Sequence, residues 1–99
     1  VTINATQPAA PVYSESVSIP SSVYTNQAFM VYISGGAPNT TWYYKVYWNG
    51  NYMGTSSTFS LNSNGGFAGS FSVSQPGTHY HEVFFNGTGH MRTASVTAS

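Results

Sequence analysis

Apolar and polar residues alternate along most of this chain. Phe29-Met30-Val31-Tyr32-Ile33, Trp42 to Trp48, Phe67 to Val73 and His79 to Phe85 are short runs, rich in aromatic or β-branched residues and bounded by Gly, Pro, Asn or Ser. A period of two sends successive side chains to opposite faces, so each run predicts a strand with one buried face. Val17 and Ile19 suit an earlier strand stopped by Pro20, and Phe29, Val31 and Ile33 suit the inward face of the next, closed by Gly35-Gly36-Ala37-Pro38. Asn49-Gly50 is the strongest two-residue hairpin signal, with Asn51 to Gly54 returning after it. Phe59 and Leu61 mark a short strand before the Asn64-Gly65-Gly66 turn. A last hairpin joins His79–Phe85 to His90–Ala98 through Asn86-Gly87-Thr88-Gly89.

About seven strands with turns every 8 to 12 residues, and no helical period or internal repeat, predict an all-β antiparallel sandwich. The predicted organisation is an extended arm with a Pro-rich spacer over 1–11, then the sandwich over 12–99. Two motifs carry a resemblance. Pro76-Gly77-Thr78-His79-Tyr80, leading into an alternating strand, resembles the corner of immunoglobulin-like and fibronectin type III-like modules. Phe29 to Ile33 followed by Gly35-Gly36-Ala37-Pro38-Asn39 resembles bacterial and phage immunoglobulin-like repeats. The likeness covers roughly residues 12 to 98 and implies an immunoglobulin-like sandwich, an architecture shared by many functions. One departure is plain: the chain has no Cys, so the inter-sheet disulfide of such domains cannot form.

Strand His79–Phe85 reads in two ways. With Tyr80 inward as a corner tyrosine, Glu82 is buried and needs a partner such as Arg92. With His79, His81, Val83 and Phe85 inward, Glu82 is solvated and two histidines are buried; this register is slightly preferred. In it, a two-residue Asn86-Gly87 loop sets Val83 opposite His90.

Composition narrows the functions. Only Glu15, Lys45, Glu82 and Arg92 are charged, 4% of 99 residues, and solubility falls to 15 Ser, 11 Thr, 8 Asn and 3 Gln. Such a surface offers little repulsion between copies and suits an extracellular, cell-surface or virion setting. Nucleic-acid binding, which needs clustered Lys and Arg, is not expected. No apolar run nears the length of a membrane span, so membrane insertion is not expected either. Val1 at the first position, without a basic or apolar leader, fits a processed or excised chain.

The chemistry available is sparse. His79 and His81 would lie about 6.8 Å apart on one strand face, with His90 near them on the partner strand. No acidic second shell accompanies them, so packing or surface roles are preferred to a metal site. Glu15 and Glu82 would have to converge across a cleft for paired-carboxylate hydrolysis. Ser and His without an acid orienter do not make a triad. The expectation is therefore no catalytic residues, no metal, no cofactor and no enzyme activity.

Three surfaces stand out instead. In Thr41–Trp48, Trp42, Tyr44, Val46 and Trp48 share one face and Tyr43, Lys45 and Tyr47 the other. Only one row can be in the core, and the second is expected outside with Tyr52, as cross-strand packing or as a contact surface for sugar rings or a neighbouring subunit. Sequons at Asn4, Asn39 and Asn86 are candidate N-glycosylation sites, close to the number that so much Asn, Ser and Thr gives by chance. Val1, Ile3 and Ala5 alternate with Thr2, Asn4 and Thr6 ahead of Pro8-Ala9-Ala10-Pro11. They suit a donated strand that pairs with an edge of an identical subunit. Because Val96-Thr97-Ala98-Ser99 resembles Val1-Thr2-Ile3-Asn4, the end of a tandem neighbouring domain is the competing reading. The expected function is a structural subunit or module of an extracellular filament, fibre or virion surface. The alternative is a carbohydrate-binding or adhesive module of a larger surface or secreted protein.

Overall fold

The structure, a computed structural model, describes residues 12–99. They form an all-β immunoglobulin-like sandwich of two sheets. The elements are β1 (Ser16–Ser18), β2 (Ser22–Val23), β3 (Phe29–Ser34), β4 (Thr41–Trp48), β5 (Asn51–Thr55), β6 (Phe59–Ser60), β7 (Phe67–Phe71), β8 (Gly77–Phe85) and β9 (Met91–Ala98). One sheet has the order β1-β3-β7 and the other β2-β9-β8-β4-β5, with β6 paired to the start of β4.

Local chemistry explains the joints. Proline has no N–H to give a ladder, so the first strand breaks at Pro20. The chain resumes as β2, which runs parallel to β9 in the other sheet. Asn49 and Gly50 both have positive φ, 47° and 86°, as a tight primed turn demands, and they set Trp48 opposite Asn51. At one end of the sandwich two loops meet where the Gly36 N–H donates to the Gly65 carbonyl at 2.9 Å. A Cβ on Gly65 would lie 1.8 Å from the Gly36 oxygen, so only glycine fits there.

The core gathers Ile33, Trp42, Leu61, Val83 and Phe85, with Val17, Tyr44, Phe59, Phe67 and Phe71 packed on them. Trp42 stacks on Phe59 at 4.8 Å and meets Phe67 edge-on at 4.9 Å. Packed aromatic rings therefore join the two sheets, with no disulfide between them.

Strand β8 settles its register by burial. His79, Val83 and Phe85 are buried, whereas Tyr80 is 37% exposed on the outer face. The Pro76 corner is therefore held by Trp48, whose indole N–H donates to the Pro76 carbonyl at 2.9 Å. The connecting loop is longer than two residues: Val83 faces Arg92, and the Phe85 N–H reaches the His90 carbonyl. A shift of two residues changes the partners but leaves the face unchanged: His81 lies opposite Ala94 and His79 opposite Val96.

The two sheets differ in width. Among the described residues β7 pairs only with β3, and nothing pairs along its other side. The residues between β5 and β7 make β6 on β4 rather than a fourth strand beside β7. Two adjoining hollows, about 70 and 230 Å³, lie between the sheets.

Candidate functional site

The outer face of the wide sheet carries a row of aromatic side chains. Since Tyr43, Lys45 and Tyr47 alternate with the inward row of β4, the pleat turns them outward, and β8 sets Phe84, Glu82 and Tyr80 directly opposite. Tyr43 stacks on Phe84 at 5.1 Å, and the Lys45 ammonium lies 5.2 Å from the centre of the same ring. Tyr47 stands between Tyr52 at 5.6 Å and Tyr80 at 5.8 Å. Tyr52 is 56% exposed, and its phenol oxygen is 2.6 Å from the Thr55 hydroxyl. The Glu82 carboxylate, through hydrogen bonding and charge, raises the Tyr47 phenol above its ordinary value. The platform is thus wider than Tyr43, Tyr47 and Tyr52: Tyr80 and Phe84 join it, a membership legible only once the register of β8 is known.

A second cluster was not foreseen. Glu15 lies just before β1, its side chain wholly buried at the end of the sandwich where the β8–β9 loop turns. The Thr88 hydroxyl and the His90 imidazole donate to its carboxylate, the latter at 2.7 Å, and the Arg92 guanidinium lies 3.7 Å away. The Arg92 Nε–H also donates to the Glu15 carbonyl at 3.0 Å. Burial alone would raise the carboxyl, but the Thr88 and His90 hydrogen bonds prevail and hold it below its ordinary value. No local pattern signals this, because its partners are more than 70 residues away.

Other predicted groups are kept apart. His90 does not join His79 and His81: the imidazole of His79 bonds to the Gln75 carbonyl at 2.8 Å at the far end of β8, while His90 sits on Glu15. Burial, and then the nearby His79, hold the His81 imidazole below its ordinary value. Glu82 faces Lys45 and Thr93 on the outer face and does not converge with buried Glu15; Arg92 serves Glu15 instead. Among the described residues no three His, Asp or Glu side chains form a set that could hold a metal ion.

Two sequons are described. Asn39 is exposed in a turn at φ 59°. Asn86 is exposed, yet its amide donates to the Thr41 hydroxyl at 3.0 Å, and the hydroxyl of its sequon partner Thr88 is engaged by Glu15. Asn4 and the donor residues Val1, Ile3 and Ala5 lie outside the described residues, as does the 1–11 arm and spacer.

No family model matches the chain, and no curated protein matches it in sequence. Solved structures do match in fold. Macromomycin aligns with a TM-score of 0.65 at 10% identity, over 87% of this chain and 100% of that one. A superoxide reductase (neelaredoxin) from Ignicoccus hospitalis gives 0.58 at 16% identity, over 88% and 81%. The CARDB domain of a Pyrococcus furiosus protein, solved in complex with di-metal ions, gives 0.53 at 18%, over 94% and 97%. These likenesses are of fold, and the immunoglobulin-like sandwich is what they share with this chain. They also correct the expectation that the chain is not an enzyme: superoxide reductases have this same fold, so the architecture gives no ground for that exclusion.

Proposed function

We propose that this chain is a structural subunit or module of an extracellular filament, fibre or virion surface, assembled by strand pairing with its N-terminal arm. It would be a module of the kind found in bacterial and phage immunoglobulin-like surface proteins. The observation that carries this reading is the one-sided pairing of β7 in a three-stranded sheet. An unpaired edge presents a row of N–H and C=O groups, and folds ordinarily blunt such edges with charge. Here β7 reads Phe67-Ala68-Gly69-Ser70-Phe71, without a charge, and residues 1–7 of the same chain supply an uncharged alternating segment. Backbone bonds would give such a contact its affinity and alternate side chains its register. Negative-stain images of purified full-length chain are expected to show filaments, and Ile3→Lys is expected to remove them. Monomers alone at every concentration would refute the reading.

A second reading is favoured by the Tyr52–Tyr47–Tyr80 row, whose outer-face rings, half-buried Tyr47 between exposed Tyr52 and Tyr80, form a platform on which sugar rings can stack. It makes the chain a carbohydrate-binding or adhesive module. Retention on a polysaccharide array that disappears with Tyr47→Ala tests it.

A further inference from the structure

We propose that the vacant fourth-strand position beside β7 is the acceptor site for residues Val1–Gln7 of a second copy of this chain, stacked head to tail. The inference rests on the assembly reading above and names the surface that reading requires.

The wide sheet is only partly covered. Along the inward row of β4 the cover thins, from Trp42 at 2% exposure to half-buried Trp48, and Met53 on β5 beyond it is 53% exposed. The narrow sheet stops at β7, one strand short of covering that flank. One hollow lies inside the sandwich, from Val17 and Ala94 across to Phe71, and the second continues from Tyr44 and Val73 out to Trp48 and Met53 on the uncovered flank. No Asp, Glu, Lys or Arg lines either of them.

The leading segment matches the cleft in pattern, charge and length. Val1, Ile3 and Ala5 would face the apolar wall while Thr2, Asn4 and Thr6 face water. Residues 1–11 contain no charged side chain. Seven extended residues reach roughly 23 Å, and the five of β7 about 17 Å.

The strand order sets the geometry for a second copy as the occupant. β1 and β7 are opposite edges of the narrow sheet, with β3 between them. Ser16 pairs with Ser34 at one end of β3, the end where Glu15 is fastened to Thr88 and His90. The cleft opens toward the other end, where Phe29 pairs with Phe71 and Trp48 with His79. The described chain thus starts at one pole, near Glu15, and the acceptor faces the opposite one. Such a contact repeats without closing, which gives a filament.

The chain has no Cys, so introduced pairs report contacts cleanly. Full-length Ile3→Cys is mixed with full-length Ser72→Cys, an exposed position on the cleft, or with Ser95→Cys, an exposed position opposite Tyr80 on the outer face. Both mixtures are then oxidised. Covalent dimers are expected with Ser72→Cys at roughly tenfold or more the yield with Ser95→Cys, because docking raises the local thiol concentration. Equal yields, with filaments that Ile3→Lys dissolves, would overturn the cleft assignment and leave arm-driven assembly standing. A chain carrying Ile3→Cys and Ser72→Cys together that closes only on itself would overturn the second copy as occupant. Absence of both links and filaments would overturn both readings.

Discussion

The imidazole of His90 and the carboxylate of Glu15 meet 2.7 Å apart across 75 residues of sequence. Their contact fastens the chain just before β1 to the loop that joins β8 and β9. Thr88 and Arg92 complete the fastening, so a carboxylate removed from water keeps a full set of donors.

Stability should follow this carboxylate with pH. The folded-state value of Glu15 lies below its ordinary value near 4.5. Its contribution is therefore present above that pH and lost as the pH falls through the lowered folded value. Glu15→Gln is expected to cost about 1–3 kcal/mol at neutral pH. The gap to the unmodified chain should narrow on acidification, in urea melts run from pH 7 to 3. A constant gap would contradict the assignment.

Trp42 should be the most sensitive core position, since it touches Phe59, Phe67 and Tyr44 at once. Trp42→Ala is expected to lose about 3–5 kcal/mol, and Trp42→Phe distinctly less. Equilibrium denaturation measures both.

Gly65→Ala should cost about 1–3 kcal/mol from backbone strain plus the displacement of Gly36, because φ is 74° and the added carbon would overlap the Gly36 carbonyl. Gly50→Ala meets nothing within 4 Å, so it isolates the backbone component at φ 86°. The Gly65 variant is expected to melt at the lower temperature.

Replacing Tyr47 or Tyr52 with Ala should change stability by less than about 1 kcal/mol, since both rings stand on the outer face. Any loss of polysaccharide retention in these variants would then report binding and not unfolding. Thermal melts and array binding on the same preparations separate the two.

Ile3→Lys should leave the melting temperature of the monomer unchanged while filaments disappear, because the proposal gives the Ile3 side chain its partner in a second copy. Light scattering and melting, followed together, measure this.

Side-chain alternation by itself determined the architecture: the inward rows of β3, β4 and β7, the Asn49-Gly50 turn and the all-β class all follow from the two-residue period and from turn chemistry, which are local. The split of Tyr43 and Tyr47 from Trp42 and Tyr44 is likewise a matter of parity along one strand. Tertiary structure decided what depends on residues distant in sequence. Only strand pairing could set Tyr80 and Phe84 beside Tyr47 and Tyr43, send His90 to Glu15 instead of His81, and bury the lone carboxylate near the start of β1. The one-sided pairing of β7 belongs to this second group. A strand's pattern states which of its faces is buried, but whether a neighbour lies along its edge depends on where the rest of the chain goes, and here residues 59–60 go to β4.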